Sequence, residues 1–178
     1  MMKKIVLTFG IIGGITITVL MFATMPLWHE NMDFKTGEIL GYISMVVALS
    51  TVFFGIKSFR DNQLDGSISF GKSFQVGILI TLTASLIYVA GWMIYSHLIN
   101  PEFMDRYYTF SIQQLRESGK PAAEIESQIK GMEDFKEMYQ NPLIQIGITF
   151  LEIFPVGLLI TLLSSLILMK KKVKVNHG

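Results

Sequence analysis

Long apolar stretches alternate with shorter polar ones along this chain. The apolar stretches cover residues 5–27, 39–56, 74–99 and 143–169. Each contains about 18 residues or more, which is the length at which a helix crosses a hydrocarbon layer about 30 Å thick. The pattern therefore predicts four membrane-spanning helices, and an even number of spans places both chain termini on the same side of the bilayer.

The segment between the third and fourth apolar stretches, residues 101–141, is polar and favours helix. Gly119 is a natural C-terminal cap, and Pro121 followed by Glu124 is typical of a new helix start. Apolar positions recur at helical spacing in both halves, namely Phe103, Tyr107, Phe110 or Ser111, and then Ile125, Ile129, Met132 and Tyr139. We expect an amphipathic helical hairpin, inserted as 101–141, whose apolar stripes pack against each other, against the spans or against a partner.

The composition agrees with a membrane location. Hydrophobic residues make up 51% of the 178 residues, and the mean hydropathy is +0.47, so the apolar excess must face lipid. The first apolar stretch is longer than the core of a secretory signal, so we interpret it as a retained span. The absence of cysteine excludes disulfides, cysteine-based zinc sites and thiol catalysis.

Basic residues are concentrated at one end of the expected spans. They are Lys3, Lys4, Lys57, Arg60, Lys72, Lys170, Lys171, Lys172 and Lys174, opposed only by Asp61 and Asp65. The segment 101–141 holds five basic and eight acidic residues. Because Lys and Arg near span ends stay on the cytoplasmic side, we expect both termini in the cytoplasm and the hairpin outside it. The chain lacks the larger basic surface with stacking aromatics that nucleic-acid binding would need.

Glu152 is an isolated carboxylate within the fourth apolar stretch. It lies ten residues after Pro142, which is about 15 Å and therefore near the middle of the bilayer. An ionised carboxylate facing lipid there is costly, so we expect Glu152 to face the bundle interior. It is then either a structural hydrogen-bonding group or a group that titrates in a proton- or ion-coupled process.

Neutral side chains are the expected partners of Glu152, because no Lys or Arg lies at matching depth. Candidates are Thr16 or Thr18 on the first span, Ser44 or Ala48 on the second, and Tyr88 or Trp92 on the third. Tyr88 and Trp92 share one helical face. Pro155 cannot donate to the carbonyl of Leu151, so a kink beside the carboxylate is expected.

Other motifs carry weaker signals. The stretch Gly66–Ser73 matches a phosphate-loop pattern literally but opens a membrane span rather than a helix of an α/β sheet. His29 and His97, with nearby acids, are too few for a metal site. Gly10 and Gly14, Gly37 and Gly41, and the series Gly77, Ala84 and Gly91 indicate close helix packing. We expect no metal and no cofactor.

Four stretches of the chain resemble a known family. They are MKKIVLTFGIIGG, NMDFKTGEILGY, SFRDNQLDGSISFGKSFQVG and NPLIQIGITFLEIFPVGLLI. Together they are similar to the bacterial membrane proteins catalogued as domain of unknown function 4199, over essentially the whole chain. The resemblance implies four spans and a bacterial inner membrane, and it places Glu152 and Pro155 within a shared pattern. It implies no activity, because that family has no assigned biochemistry.

The sequence therefore predicts an all-α, integral membrane four-helix bundle with an extracytoplasmic amphipathic hairpin between spans three and four. We expect a non-enzymatic structural, accessory or partner-binding protein, with the lipid bilayer and a second copy or another membrane protein as partners. The alternative is a small proton- or ion-coupled transporter that uses Glu152. An enzyme is disfavoured because no nucleophile, base and orienting group are visible together.

Overall fold

The computed structural model describes residues 2–25 and 34–170, and almost all of them are helical. The helices are α1 Met2–Thr24, α2 Phe34–Leu49, α3 Thr51–Gln63, α4 Phe70–Ile94, α5 Phe103–Glu117, α6 Ala122–Tyr139 and α7 Pro142–Leu168. A π-helical turn, Tyr95–Ile99, extends α4. In the described residues no β-strand forms, only an isolated bridge between Ile68 and Lys170. The all-α prediction is confirmed.

Among the described residues, four helices are long and apolar enough to cross a membrane, in agreement with the predicted number of spans. They are Met2–Thr24, Thr36–Gln63, Phe70–Ile99 and Pro142–Leu168. The second combines α2 and α3, which meet at Ser50, where the Ser50 hydroxyl donates to the Val47 carbonyl at 2.7 Å. The spans extend past the predicted bounds at the lysine-bearing end of α3 and α4, because helical hydrogen bonding continues into polar residues there. The predicted end of span one, at residue 27, lies outside the described residues.

The chain divides into two compact units. The first contains residues 1–90 and 150–178, and the second contains residues 91–149. Helices α4 and α7 both contribute to each unit, whereas α1, α2 and α3 belong to the first unit, and α5 and α6 to the second.

The core of the first unit is formed where α1 and α3 approach α4. Val52, Ile56, Val76 and Ile80 are fully buried in one hydrophobic cluster. A methyl group added at Gly10 would overlap Thr83 at 2.6 Å, and one at Gly14 would overlap Ile87 at 2.7 Å. Their packing role is therefore confirmed, as is that of Gly77. For Gly41 the prediction is wrong, since nothing lies within 4 Å of such a methyl group.

The connection between α3 and α4 is tied to the C-terminal end of α7. Asp65 and Gly66 both adopt positive φ, 51° and 78°, which confirms the turn that Asp-Gly indicates. The Ile68 N–H donates to the Lys170 carbonyl at 3.0 Å and the Lys170 N–H donates back at 2.9 Å. The phosphate-loop pattern is thereby excluded, because Ile68 is buried in this bridge rather than leading from a parallel strand.

The second unit contains the predicted helical hairpin. Gly119 ends the turn after α5 with φ of 70°, and α6 begins directly after Pro121. Lys136 on α6 forms an ion pair with Asp105 on α5 at 2.5 Å. The apolar stripes are mostly covered, with Phe103 and Tyr139 buried and Phe110, Ser111, Ile125, Ile129 and Met132 half-buried. Tyr107 departs from the prediction because it is exposed.

Aromatic packing forms the core of this second unit. The Trp92 ring packs edge-on against Phe103, with centroids 5.4 Å apart, and stacks with Tyr95 at 5.9 Å. The indole N–H of Trp92 donates to the Tyr139 hydroxyl at 2.8 Å. One end of α6 is thus attached to the end of α4 by a buried hydrogen bond inside an aromatic cluster.

Candidate functional site

Glu152 lies in the interior of α7, on the exposed side of that helix. Its side chain is exposed, whereas the next residue, Ile153, is fully buried. The expectation that Glu152 faces the bundle interior is therefore wrong for the single chain. Consecutive helical residues differ in direction by about 100°, so hydrophobicity alone did not determine which side of α7 packs inward.

The depth of Glu152 depends on the end of α7 from which it is counted, and its mid-membrane position stays a prediction. Counting from Pro142 placed it at mid-membrane, but residues 142–149 of α7 belong to the second unit. Counted from the other end, Glu152 lies 18 residues before Lys170, which is about 27 Å along the helix. In a hydrocarbon layer about 30 Å thick whose boundary lies near Lys170, Glu152 is close to the opposite boundary.

Glu38, near the start of α2, is a second carboxylate of the first unit. Glu38 is also exposed, and it lies 19 residues before Lys57 on span two, so its depth matches that of Glu152. No hydrogen bond or ion pair joins Glu152 to another described residue. The exposed Glu152 carboxylate therefore has no donor among the residues that the structure describes.

Pro155 lies on the same exposed side of α7 as Glu152. The helix continues through it from Pro142 to Leu168. Because proline has no N–H, the Leu151 carbonyl lacks its usual helical donor. Glu152 and Pro155 therefore place two hydrogen-bond acceptors, the carboxylate and the Leu151 carbonyl, within one turn of the helix.

Two of the predicted partners of Glu152 donate their hydrogen bonds to other groups. The single indole donor of Trp92 is bound to Tyr139, and Thr18 donates to the Gly14 carbonyl at 2.8 Å. Tyr88 and Ala48 are buried. The structure instead places Tyr42 on the exposed side of α2, one helical turn from Glu38.

A seam between α4 and α7 is the most polar part of the first unit's core. The Thr81 and Thr161 hydroxyls are 3.0 Å apart, and Thr81 also donates to the Gly157 carbonyl at 3.3 Å. A side chain at Gly157 would overlap Thr81, and one at Gly77 would meet Thr161 at 2.7 Å. This seam was not predicted from the sequence, although small residues recur there every four positions as Ser73, Gly77, Thr81 and Ser85, and as Gly157, Thr161 and Ser165.

Three serine hydroxyls in these two helices are buried without a hydrogen-bond partner. They belong to Ser73, Ser85 and Ser165, and all three residues are fully buried. A buried hydroxyl without a partner costs free energy, about 1–3 kcal/mol in soluble proteins. Because the serine and threonine hydroxyls are neutral, they need no oppositely charged side chain in the core.

His97 belongs to the π-helical turn in the second unit. Its Nε2 lies 3.0 Å from the Gln145 side-chain oxygen. The Gln145 amide donates to the Ser96 hydroxyl at 2.9 Å, and Gln145 is almost completely buried. The Gln145 side-chain oxygen therefore accepts a hydrogen bond from Nε2 of His97 and orients the imidazole ring. π-Turns occur often at functional sites.

No group of three or more His, Asp or Glu side chains converges to hold a metal ion within residues 2–25 and 34–170. His97 contacts neutral Gln145 rather than an acid. His29, the other histidine considered for metal binding, lies outside the described residues.

Comparison with known proteins agrees with these observations. The family model described as a protein of unknown function, DUF4199, matches residues 8–170. No curated protein and no solved structure matches the chain. The matched residues include all four candidate spans in large part and the whole hairpin. The chain therefore belongs to the DUF4199 family.

Proposed function

We propose that this chain is a non-enzymatic accessory membrane protein that acts by associating with another protein inside the bilayer through the exposed face of α7. The observation that carries the proposal is the position of Glu152. It is a carboxylate within an apolar span, exposed on its helix and without a hydrogen-bond donor among the described residues. A charged side chain exposed to lipid costs about 2.5–3.5 kcal/mol or more at the bilayer centre and less near the boundary, so a protein partner that covers it is favoured.

The packing of the first unit supports an associating protein over a carrier. A proton- or ion-coupled carrier needs Glu152 to face a polar interior that opens to both sides of the membrane. Its exposed side chain gives that alternative no support. The α4–α7 seam is closed by the Thr81–Thr161 contact and by glycines that leave no room for a methyl group.

The proposal includes a location and an orientation. We infer that the chain lies in a bacterial cytoplasmic membrane with both termini in the cytoplasm and the α5–α6 hairpin on the other side. The support is the concentration of lysine and arginine near one end of the spans, at Lys3, Lys4, Lys57, Arg60 and Lys170. Catalysis is not part of the proposal, because no nucleophile, base and orienting group come together among the described residues.

Photocrosslinking in the native membrane tests the association. A photoreactive side chain replaces Leu159, which is 61% exposed on the same side of α7 as Pro155 and about two helical turns beyond Glu152. A matched control replaces Leu86, which is 63% exposed on α4. We expect a protein adduct at position 159 and only lipid adducts at position 86. Lipid adducts alone at position 159 contradict the proposal.

A further inference from the structure

Three cationic side chains that are distant in the sequence meet at the lysine-bearing end of the first unit. Arg60 is in the last turn of α3, Lys72 is in the first turn of α4, and Lys170 follows the end of α7 by two residues. We call these three residues the basic cluster. All of them belong to the first compact unit.

A small apolar centre brings the three segments of the basic cluster together. Phe59, Ile68 and Leu168 are buried in one hydrophobic cluster. The Lys72 ammonium lies 5.9 Å from the centre of the Phe59 ring, and the Arg60 guanidinium donates to the Leu168 carbonyl at 3.4 Å. The backbone bridge from Ile68 to the residue at position 170 attaches the third cation to the same centre. The three positive charges are therefore neighbours because of the fold.

The two lysines of the basic cluster supply its positive charge. Arg60 pairs with Asp61 at 2.7 Å, so the charge of this arginine is largely balanced. Lys72 instead donates to the neutral Gln75 side-chain oxygen at 2.9 Å, and Lys170 is exposed. A ligand with a negative charge is therefore attracted to Lys72 and Lys170, and Arg60 holds the end of α7 beside them.

The basic cluster lies at the level at which a phospholipid carries its phosphate. Span two ends at Gln63, span three begins at Phe70 and span four ends at Leu168. Apolar side chains are exposed at the same boundary, where Phe70 is 37% and Ile167 is 70% exposed. A soluble phosphate compound would use the cations alone, whereas a lipid also covers these apolar side chains. Basic pockets between spans are typical sites for anionic lipid head groups.

We propose that the basic cluster binds the head-group phosphate of an anionic phospholipid, whose acyl chains lie along Phe70 and Ile167. Lys72 and Lys170 contact the phosphate and select a lipid with a net negative head group. Ile167 lies eight residues beyond Leu159, which is about 12 Å along α7. The lipid site is thus separate from the position that tests protein association, and either proposal can fail while the other stands.

Native mass spectrometry of the full-length protein in detergent tests the lipid site. The protein is titrated with phosphatidylglycerol and, separately, with phosphatidylcholine that has the same acyl chains. We expect phosphatidylglycerol to bind at least about tenfold more tightly, because each lysine near the head group favours an anionic lipid by about fivefold. Equal affinity for the two lipids overturns the proposal.

Neutral variants of the two lysines assign the preference to the basic cluster. Lys72→Gln and Lys170→Gln should each weaken phosphatidylglycerol binding about fivefold and leave phosphatidylcholine binding unchanged. Lys72→Arg and Lys170→Arg keep the charge and should keep the affinity. The matched control is Lys130→Gln, which removes an exposed lysine of α6 and should have no effect.

The double variant Lys72→Gln, Lys170→Gln gives the sharpest result, since its preference for phosphatidylglycerol should be lost. A preference that survives in the double variant places the lipid on other lysines and overturns the proposal, as does an equal loss in Lys130→Gln. Lys170 joins its bridge through backbone atoms, so Lys170→Gln should remain folded, which thermal unfolding in the same detergent measures.

Competition with inorganic phosphate distinguishes a lipid from a soluble phosphate compound. Phosphate and chloride are compared at equal ionic strength, because both screen the charges of the basic cluster. Equal displacement of phosphatidylglycerol by the two salts supports the lipid. Stronger displacement by phosphate assigns the site to a soluble phosphate compound and overturns the lipid.

Discussion

At the scale of single residues, Gly157 is a point where α7 lies close against α4. A methyl group there overlaps the Thr81 side chain, which is fixed by bonds to Thr161 and to the Gly157 carbonyl. Gly157→Ala should therefore destabilise the fold by about 1–3 kcal/mol, through overpacking. The matched control is Gly41→Ala, which has open space and should be neutral or stabilising by up to about 1 kcal/mol. Denaturant titration of the purified protein in detergent measures both.

The seam also allows a comparison of satisfied and unsatisfied hydroxyl groups. Thr81→Val removes two hydrogen bonds between helices while keeping the shape of the side chain, so we expect a loss of about 1 kcal/mol. Ser85→Ala removes a buried hydroxyl that has no partner, so its effect should be near zero or stabilising. The same titration reports the difference, and a larger loss for Ser85→Ala would show that its hydroxyl is bonded.

Residue-scale features were the least predictable from sequence. Glu152 was identified because a carboxylate in an apolar stretch is rare, but the direction of its side chain was misjudged and its depth stays a prediction. Its depth depends on where the membrane boundary crosses α7, and the first residues of α7 belong with the hairpin. Its direction depends on which side of α7 packs on α4, and the clue was the four-residue spacing of Gly157, Thr161 and Ser165.

At the scale of elements, the α5–α6 hairpin was predictable because its signals are local. Gly119 and Pro121 mark the turn, and the apolar stripes have helical spacing. The contacts that fix one helix against the other are not local. The Tyr108 hydroxyl donates to the Glu133 carboxylate at 3.1 Å, and Lys136 lies 4.8 Å from the centre of the Tyr108 ring.

Tyr108 makes the stability of the hairpin depend on pH. Desolvation raises its pKa above the usual 10.0, and the hydrogen bond to Glu133 and the charge of that carboxylate raise it further. Because the folded-state pKa is raised, the contribution of Tyr108 to stability is complete below pH 10 and declines as the pH rises through the folded-state pKa. In Glu133→Gln, with the charge removed, Tyr108 should ionise at lower pH.

Ultraviolet absorbance at the tyrosinate band measures this titration, and Tyr108→Phe assigns the signal. The carboxamide introduced by Glu133→Gln keeps an acceptor for the phenol, so the variant isolates the effect of the charge. If this variant leaves the titration of Tyr108 unchanged, the carboxylate does not act on the phenol in solution.

At the scale of the whole molecule, the distribution of lysine and arginine predicts the orientation of the chain in the membrane. Near one end of the spans lie Lys3, Lys4, Lys57, Arg60, Lys72 and Lys170. The Arg60 guanidinium also lies 3.4 Å from the Leu168 carbonyl, so a cation stands at the C-terminal end of α7, where the helix dipole favours positive charge. The other end of the same spans carries Glu38 and Glu152, and the hairpin has a net acidic charge.

The orientation can be tested directly because the chain contains no cysteine, so each introduced thiol is unique. Ser127→Cys places one on the exposed surface of α6, and Asn62→Cys places one at the exposed, lysine-bearing end of α3. Retention of Lys and Arg in the cytoplasm predicts that a membrane-impermeant maleimide labels the thiol at position 127 in intact spheroplasts. Position 62 should react only after the membrane is permeabilised. The reverse pattern would place the hairpin in the cytoplasm and overturn the orientation.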